Sequence, residues 1–73
     1  MKTKFIKIKN MDELKTFMEK VYMVDGDVTA KRGKFIVDAK SMLGLMSINA
    51  AEGCIINFPN NAKDFEDYLS SLD

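Results

Sequence analysis

Histidine is absent from all 73 residues, and this absence narrows the chemistry more than any residue present. The commonest general base, the usual partner of a nucleophilic serine or cysteine, and the commonest metal ligand are all missing. There is a single cysteine. That excludes an intramolecular disulfide, and with it an extracellular stapled fold. One cysteine without histidine cannot make a zinc site either, so no metal or other cofactor is expected. The four glycines stand singly, so there is no glycine-rich phosphate loop. No run approaches the ~20 apolar residues of a membrane span, and nothing resembles the apolar core of a signal peptide. A reducing cytoplasm is the expected setting. Charge of one sign is lacking too. Eleven basic and eleven acidic residues cancel, leaving no global field to attract nucleic acid or an anionic membrane.

What is present suits one small domain over residues 1–73. At this length only about 60% of the unfolded chain's surface is buried on folding. A hydrophobic fraction of 47% is ample for one core and argues against disorder. The charges are unevenly placed. Lys2, Lys4, Lys7 and Lys9 crowd the start, and Asp64, Glu66, Asp67 and Asp73 crowd the end. A solvated strand face and a solvated helix face account for both groups.

Residues 3–9 (TKFIKIK) alternate, with Ile6 and Ile8 on one face, and read as a strand. Asn10 caps a following helix over 11–22, and Glu13 three residues on makes a capping-box-like pair. Its stripe is Met11, Leu14, Phe17, Met18, Val21 and Tyr22. Residues 28–31 and 35–38 form two short strands, with Arg32-Gly33 between them to turn a tight hairpin. Ser41 caps a short helix through Met46 or Ser47, and Glu52-Gly53 turns the chain. Cys54, Ile56 and Phe58 then alternate into the core on a fourth strand, which Pro59 ends. Asn60 or Asn61 caps a last helix with the stripe Phe65, Tyr68, Leu69 and Leu72. The order β-α-β-β-α-β-α implies an α+β fold with a mainly antiparallel sheet covered on one face.

Catalytic chemistry is hard to assemble from these parts. Cys54 lies on an apolar strand face beside Ile55 and Ile56 and reads as a small buried hydrophobe, not a nucleophile. The acidic pairs Asp12-Glu13 and Glu66-Asp67 are sequence neighbours and splay apart on a helix. No enzyme is expected.

The segment VDAKSMLGLMSINAAEG, residues 37–53, closely resembles the regulatory-serine region of HPr, the histidine-containing phosphocarrier of the bacterial sugar phosphotransferase system. That family carries a lysine-serine pair, a short apolar helix with glycine and methionines, and a small-residue turn ending in glycine. The order of elements over residues 3–72 matches as well. The resemblance implies an open-faced β-sandwich, with a four-stranded antiparallel sheet and three helices on one face. The departure lies in residues 7–15, KIKNMDELK. There HPr has a loop with a phosphoryl-accepting histidine followed closely by an arginine. Here the stretch is too short to hold that loop comfortably, and Asn10, Met11 and Asp12 occupy the region. No side chain there forms a phosphoramidate, and Asp12 would repel an incoming phosphate.

Two features of the matching segment stay open at this point. Ser41 is an N-cap on the residues alone. The resemblance adds a second role, because the matching serine is phosphorylated in some bacteria to control carbon catabolite repression. Met42, Leu43, Leu45 and Met46 cannot all face inward on so short a helix. Either Leu45 and part of the methionine pair complete the core, or Met42, Leu43 and Met46, with Ser47, form an adaptable docking surface. The resemblance implies docking, with a phosphotransferase-system component, an HPr-type kinase or a transcription regulator as partner. The chain itself would be a monomer or a weak homodimer.

Overall fold

Strand β1 (Lys2–Ile6) is followed by α1 (Met11–Tyr22), β2 (Thr29–Arg32), β3 (Phe35–Asp38), α2 (Met42–Ser47), β4 (Cys54–Phe58) and α3 (Lys63–Ser70). A 3₁₀ turn over Ala50–Glu52 precedes β4. The computed structural model describes residues 1–72; Asp73, counted above at the acidic end, lies outside them. The strands form one antiparallel sheet in the order β1-β4-β2-β3, so β4 is inserted between β1 and the β2–β3 hairpin.

The alternation in β4 decides which face is covered. Cys54, Ile56 and Phe58 are buried, while Ile55 between them is exposed. Ile6 on β1 and Ala30 on β2 join the buried side. Leu14, Phe17, Met18 and Val21 of α1 and Phe65 and Leu69 of α3 cover it. Phe65 meets Phe17 at 5.9 Å and Phe58 at 5.7 Å, both edge to face, which ties α3 to α1 and to the sheet. The opposite face is open. Register places Phe5, Ile55, Lys31 and Ile36 in one row across all four strands of it.

The start of α1 follows its sequence signature. Asn10 is extended, and its Oδ1 accepts the Glu13 N–H at 2.9 Å. Glu13 Oε1 in turn accepts the Lys9 N–H at 2.9 Å, which satisfies a second free donor. The expected stripe is narrower than its spacing suggested. Met11 and Tyr22 lie on its flank and are exposed, and the Tyr22 hydroxyl donates to the Lys40 carbonyl at 2.9 Å.

Other expected boundaries shift for local reasons. β1 ends at Ile6, opposite Cys54, because β4 begins there. Ile8 still points into the core, and its N–H bonds the Ala50 carbonyl at 3.2 Å. β2 runs on to Arg32, opposite Phe35, so the hairpin turns at Gly33-Lys34 and not at Arg32-Gly33. Gly33 takes the left-handed conformation, φ 61°, that such a turn requires. Neither Asn60 nor Asn61 caps α3. Ala62 holds the cap position with no side-chain bond, because Pro59 and the two asparagines are used in a turn closed by the Ala62 N–H on the Pro59 carbonyl.

Candidate functional site

Lys40 and Ser41 join the β2–β3 hairpin to α2, and both are fixed by the backbone around them. The Lys40 ammonium donates to the Val24 carbonyl at 3.0 Å and the Gly26 carbonyl at 3.2 Å, beyond the C-terminus of α1. Its own N–H bonds Asp38 Oδ1 at 2.9 Å. The lysine of the lysine-serine pair is therefore a tie between two loops. Ser41 is extended, with φ −103° and ψ 112°, and its Oγ accepts the Gly44 N–H at 3.0 Å. This is the expected N-cap.

Gly44 lets α2 approach the sheet. A β-carbon there would lie 3.1 Å from the Val37 β-carbon and 3.3 Å from Ser41 Oγ. The helix is only six residues long, so one side of it reaches the core. Leu45 is that side, fully buried. Leu43 is 79% exposed, Met46 57% and Met42 38%. Ser47 is exposed and its hydroxyl donates to the Gly44 carbonyl at 2.7 Å, which closes the last turn. Leu45 thus completes the core, as one of the two readings above has it, and Met42, Leu43 and Met46 are at the surface, as the other requires.

Of the expected site residues, the structure brings Asn10 and Met11 together with Met46 in one cleft, while Ser41, Met42, Leu43 and Ser47 do not line it. A cleft of about 280 Å³ opens between the start of α1 and the end of α2, lined by Asn10, Met11 and Leu14 on one side and Leu45, Met46 and Asn49 on the other. Asp12 is not among its lining residues; it stays exposed on the first turn of α1. Only Lys7 to Asn10 connect β1 to α1. Asn49 stands in the left-handed region at φ 56°, which asparagine tolerates and which bends α2 into the 3₁₀ turn at the cleft's rim. The cleft joins residues some 35 positions apart in the chain, so sequence reading missed it. Asn49 ahead of the paired alanines was the one local signal.

Among the described residues no cluster of three His, Cys, Asp or Glu side chains is placed to hold a metal, and no helix is long and apolar enough to cross a membrane. Cys54 lies on the covered sheet face and does not line the cleft. Burial pushes its thiol up to about 11, against a smaller lowering by the Arg32 guanidinium. It stays protonated at neutral pH, unlike a reactive cysteine. Burial also raises the Tyr68 phenol, helped by the nearby Glu13 carboxylate.

No protein-family model matches the chain, and no curated protein matches it. Among solved structures it is similar to the crystal structure of HPr-C-His from Thermoanaerobacter tengcongensis. The TM-score is 0.75 at 22% identity, over 97% of this chain and 93% of that one. At that identity the likeness establishes the fold. The chain has the HPr-like architecture of a four-stranded antiparallel sheet with three helices.

Proposed function

We propose that this chain is a non-catalytic HPr-like protein that binds a protein partner through α2 and does not act as a histidine phosphocarrier. One observation carries the reading: α2 turns Leu43, Met46 and part of Met42 to solvent beside the cleft that Met11 also lines. Flexible thioether and leucine side chains clustered at a surface make an adaptable apolar contact. The lack of any histidine removes the phosphoramidate route, and the resemblance aligns Asp12 with the region where HPr carries its arginine.

Affinity capture tests the docking. The immobilised chain is expected to retain a partner that Leu43→Asp and Met46→Asp both lose. Neither variant should be a folding defect: both sites are exposed, and surface changes of this kind stay within about 0.5 kcal/mol. A carboxylate at position 43 would also lie in the first turn of α2, where negative charge suits the helix dipole. Capture unchanged in both variants, with matched melting temperatures, would refute docking through α2.

A second reading makes Ser41 a phosphorylation switch for carbon catabolite control. The observation in its favour is the position of the hydroxyl, half-buried at the N-terminus of α2 and directed at a free N–H. A phosphate there would meet backbone donors and the positive end of the helix, so α2 would survive the modification. Incubation with an HPr-type kinase and ATP is expected to add one phosphate by intact mass, and Ser41→Ala to abolish it. An unmodified wild-type chain ends this reading and leaves Ser41 as a cap.

A further inference from the structure

The two edges of the sheet, β1 and β3, are protected unequally. β1 carries Lys2 and Lys4, the charged residues that natural sheets place on edges against strand addition. β3 reads Phe35-Ile36-Val37-Asp38, and Phe35 and Ile36 are both more than 60% exposed. The hairpin fixes which way its backbone points. Arg32 faces Phe35 across a two-residue turn, and the Ala39 N–H donates to the Val28 carbonyl at 2.9 Å. Odd-numbered residues thus turn their backbone groups toward β2, and Ile36 and Asp38 turn theirs outward. The Asp38 carbonyl is taken by the Ser41 N–H at 2.9 Å. The Ile36 N–H and C=O have no partner among the described residues.

We propose that this edge binds a second copy of the chain. β3 pairs antiparallel with β3 of the other copy about a two-fold axis at Ile36, joining two four-stranded sheets into one. The argument is self-complementarity. In this register Ile36 faces Ile36 and exchanges both backbone hydrogen bonds with it. Phe35 faces Val37, an aromatic against a β-branched residue. Lys34, in the turn just before β3, comes beside Asp38 of the other copy, and the same pair of opposite charges recurs on the other side of the axis. Each of these cross-strand pairs is a favourable type. Asp38 spends Oδ1 on the Lys40 N–H, which leaves its second oxygen for the ammonium.

Neighbouring registers fail. Moving the axis to Phe35 sets Ile36 against Lys34, and moving it to Val37 sets Ile36 against Asp38. Either change strands an apolar side chain opposite a charge and unpairs both ion pairs. The two faces also agree. Ile36 and Asp38 share the open face, while Val37 lies under α2 against Gly44, so Phe35 of the second copy is covered at the margin of that helix. With four residues in the strand, association is weak and concentration-dependent.

Charge reversal tests the register. Lys34→Asp puts two carboxylates across each pair and Asp38→Lys puts two ammonium groups there. Within one chain Lys34 stands in the turn at one end of β3 and Asp38 at the other end, with three strand residues between them. In sedimentation of the full chain up to millimolar concentration, each single variant is expected to weaken association roughly tenfold or more, since every change counts twice. The double variant is expected to restore it. Slowing of the Ile36 amide exchange with concentration gives an independent reading. A monomer at every concentration, single variants that associate like wild type, or a double variant that stays weak would overturn the inference. So would association lost in Leu43→Asp but kept in Ile36→Lys, which assigns the contact to α2. Protection of Ile36 only on mixing with a different protein assigns the edge to a foreign strand and also overturns it.

Discussion

Phe65→Ala is expected to cost about 3–5 kcal/mol, the range for deleting a buried aromatic ring. A domain of this length has about 4–11 kcal/mol in total at ordinary stability per residue, so the variant would stand near the edge of unfolding. The size follows from what the ring joins. Phe65 is buried, with Phe17 of α1 and Phe58 of β4 on its edges and Tyr68 at 6.3 Å. Removing it opens a void where a helix, its neighbour and the central strand meet. The surroundings close poorly around it, because Phe17 and Phe58 are themselves fully buried and hold their positions from other elements. Urea unfolding followed by circular dichroism measures the loss. A change below about 1 kcal/mol would show that α3 is held by other contacts, because the truncation term alone exceeds that.

Gly53→Ala is expected to cost about 2–3 kcal/mol, and two effects compete to explain it. Gly53 has φ 122° and ψ 142°, a region open essentially to glycine alone, where other residues pay about 1–3 kcal/mol. A β-carbon there would also lie 2.5 Å from the Phe5 ring. The ring is at the far end of a half-exposed side chain and can swing over the open face. The backbone has no such freedom, since the Gly53 N–H bonds the Ala50 carbonyl and its own carbonyl accepts from the Arg32 guanidinium. Backbone strain therefore dominates. The check is the double variant Gly53→Ala, Phe5→Ala. Unfolding measurements are expected to show no recovery on removing the ring; full recovery would assign the cost to the clash.

These two sites differ in how far the chain announces them. Phe65 belongs to a stripe that helical spacing alone identifies. Gly53 is legible as a turn, but the ring above it is contributed by β1, whose pairing with β4 is set by the sheet. The same divide runs through the candidate site. Asn10 with Glu13, and Ser41 with the apolar run behind it, are local signals that bond within one helical turn, and both caps form as their spacing implies. The supposed cap at Asn60 or Asn61 looked the same by composition and failed, because the residues after Pro59 are drawn into a turn that periodicity does not register. Met11 and Tyr22 fitted the α1 stripe by spacing, yet each lies on its flank, where exposure is decided by what stands opposite.

Lys40 makes the point from the other direction. Its ammonium bonds carbonyls 14 and 16 residues away, and nothing in the local sequence separates such a tie from a solvated lysine. The cleft is of this kind too, since its two walls come from different parts of the chain.

By itself the sequence determined the α+β element order, both helix caps that bond, the inward alternation of β4 and the impossibility of histidine chemistry. Each depends on residues within a turn or two of one another, or on composition alone. The tertiary structure decided that Leu45 and not its neighbours is buried, that Asn10 and Met11 share a cleft with Met46, and that Ile36 keeps an unpaired edge. Those outcomes depend on which elements are brought side by side. A six-residue helix carries too few positions to state which of its faces another element will cover, so the exposure of Leu43 and Met46 could be settled only by packing.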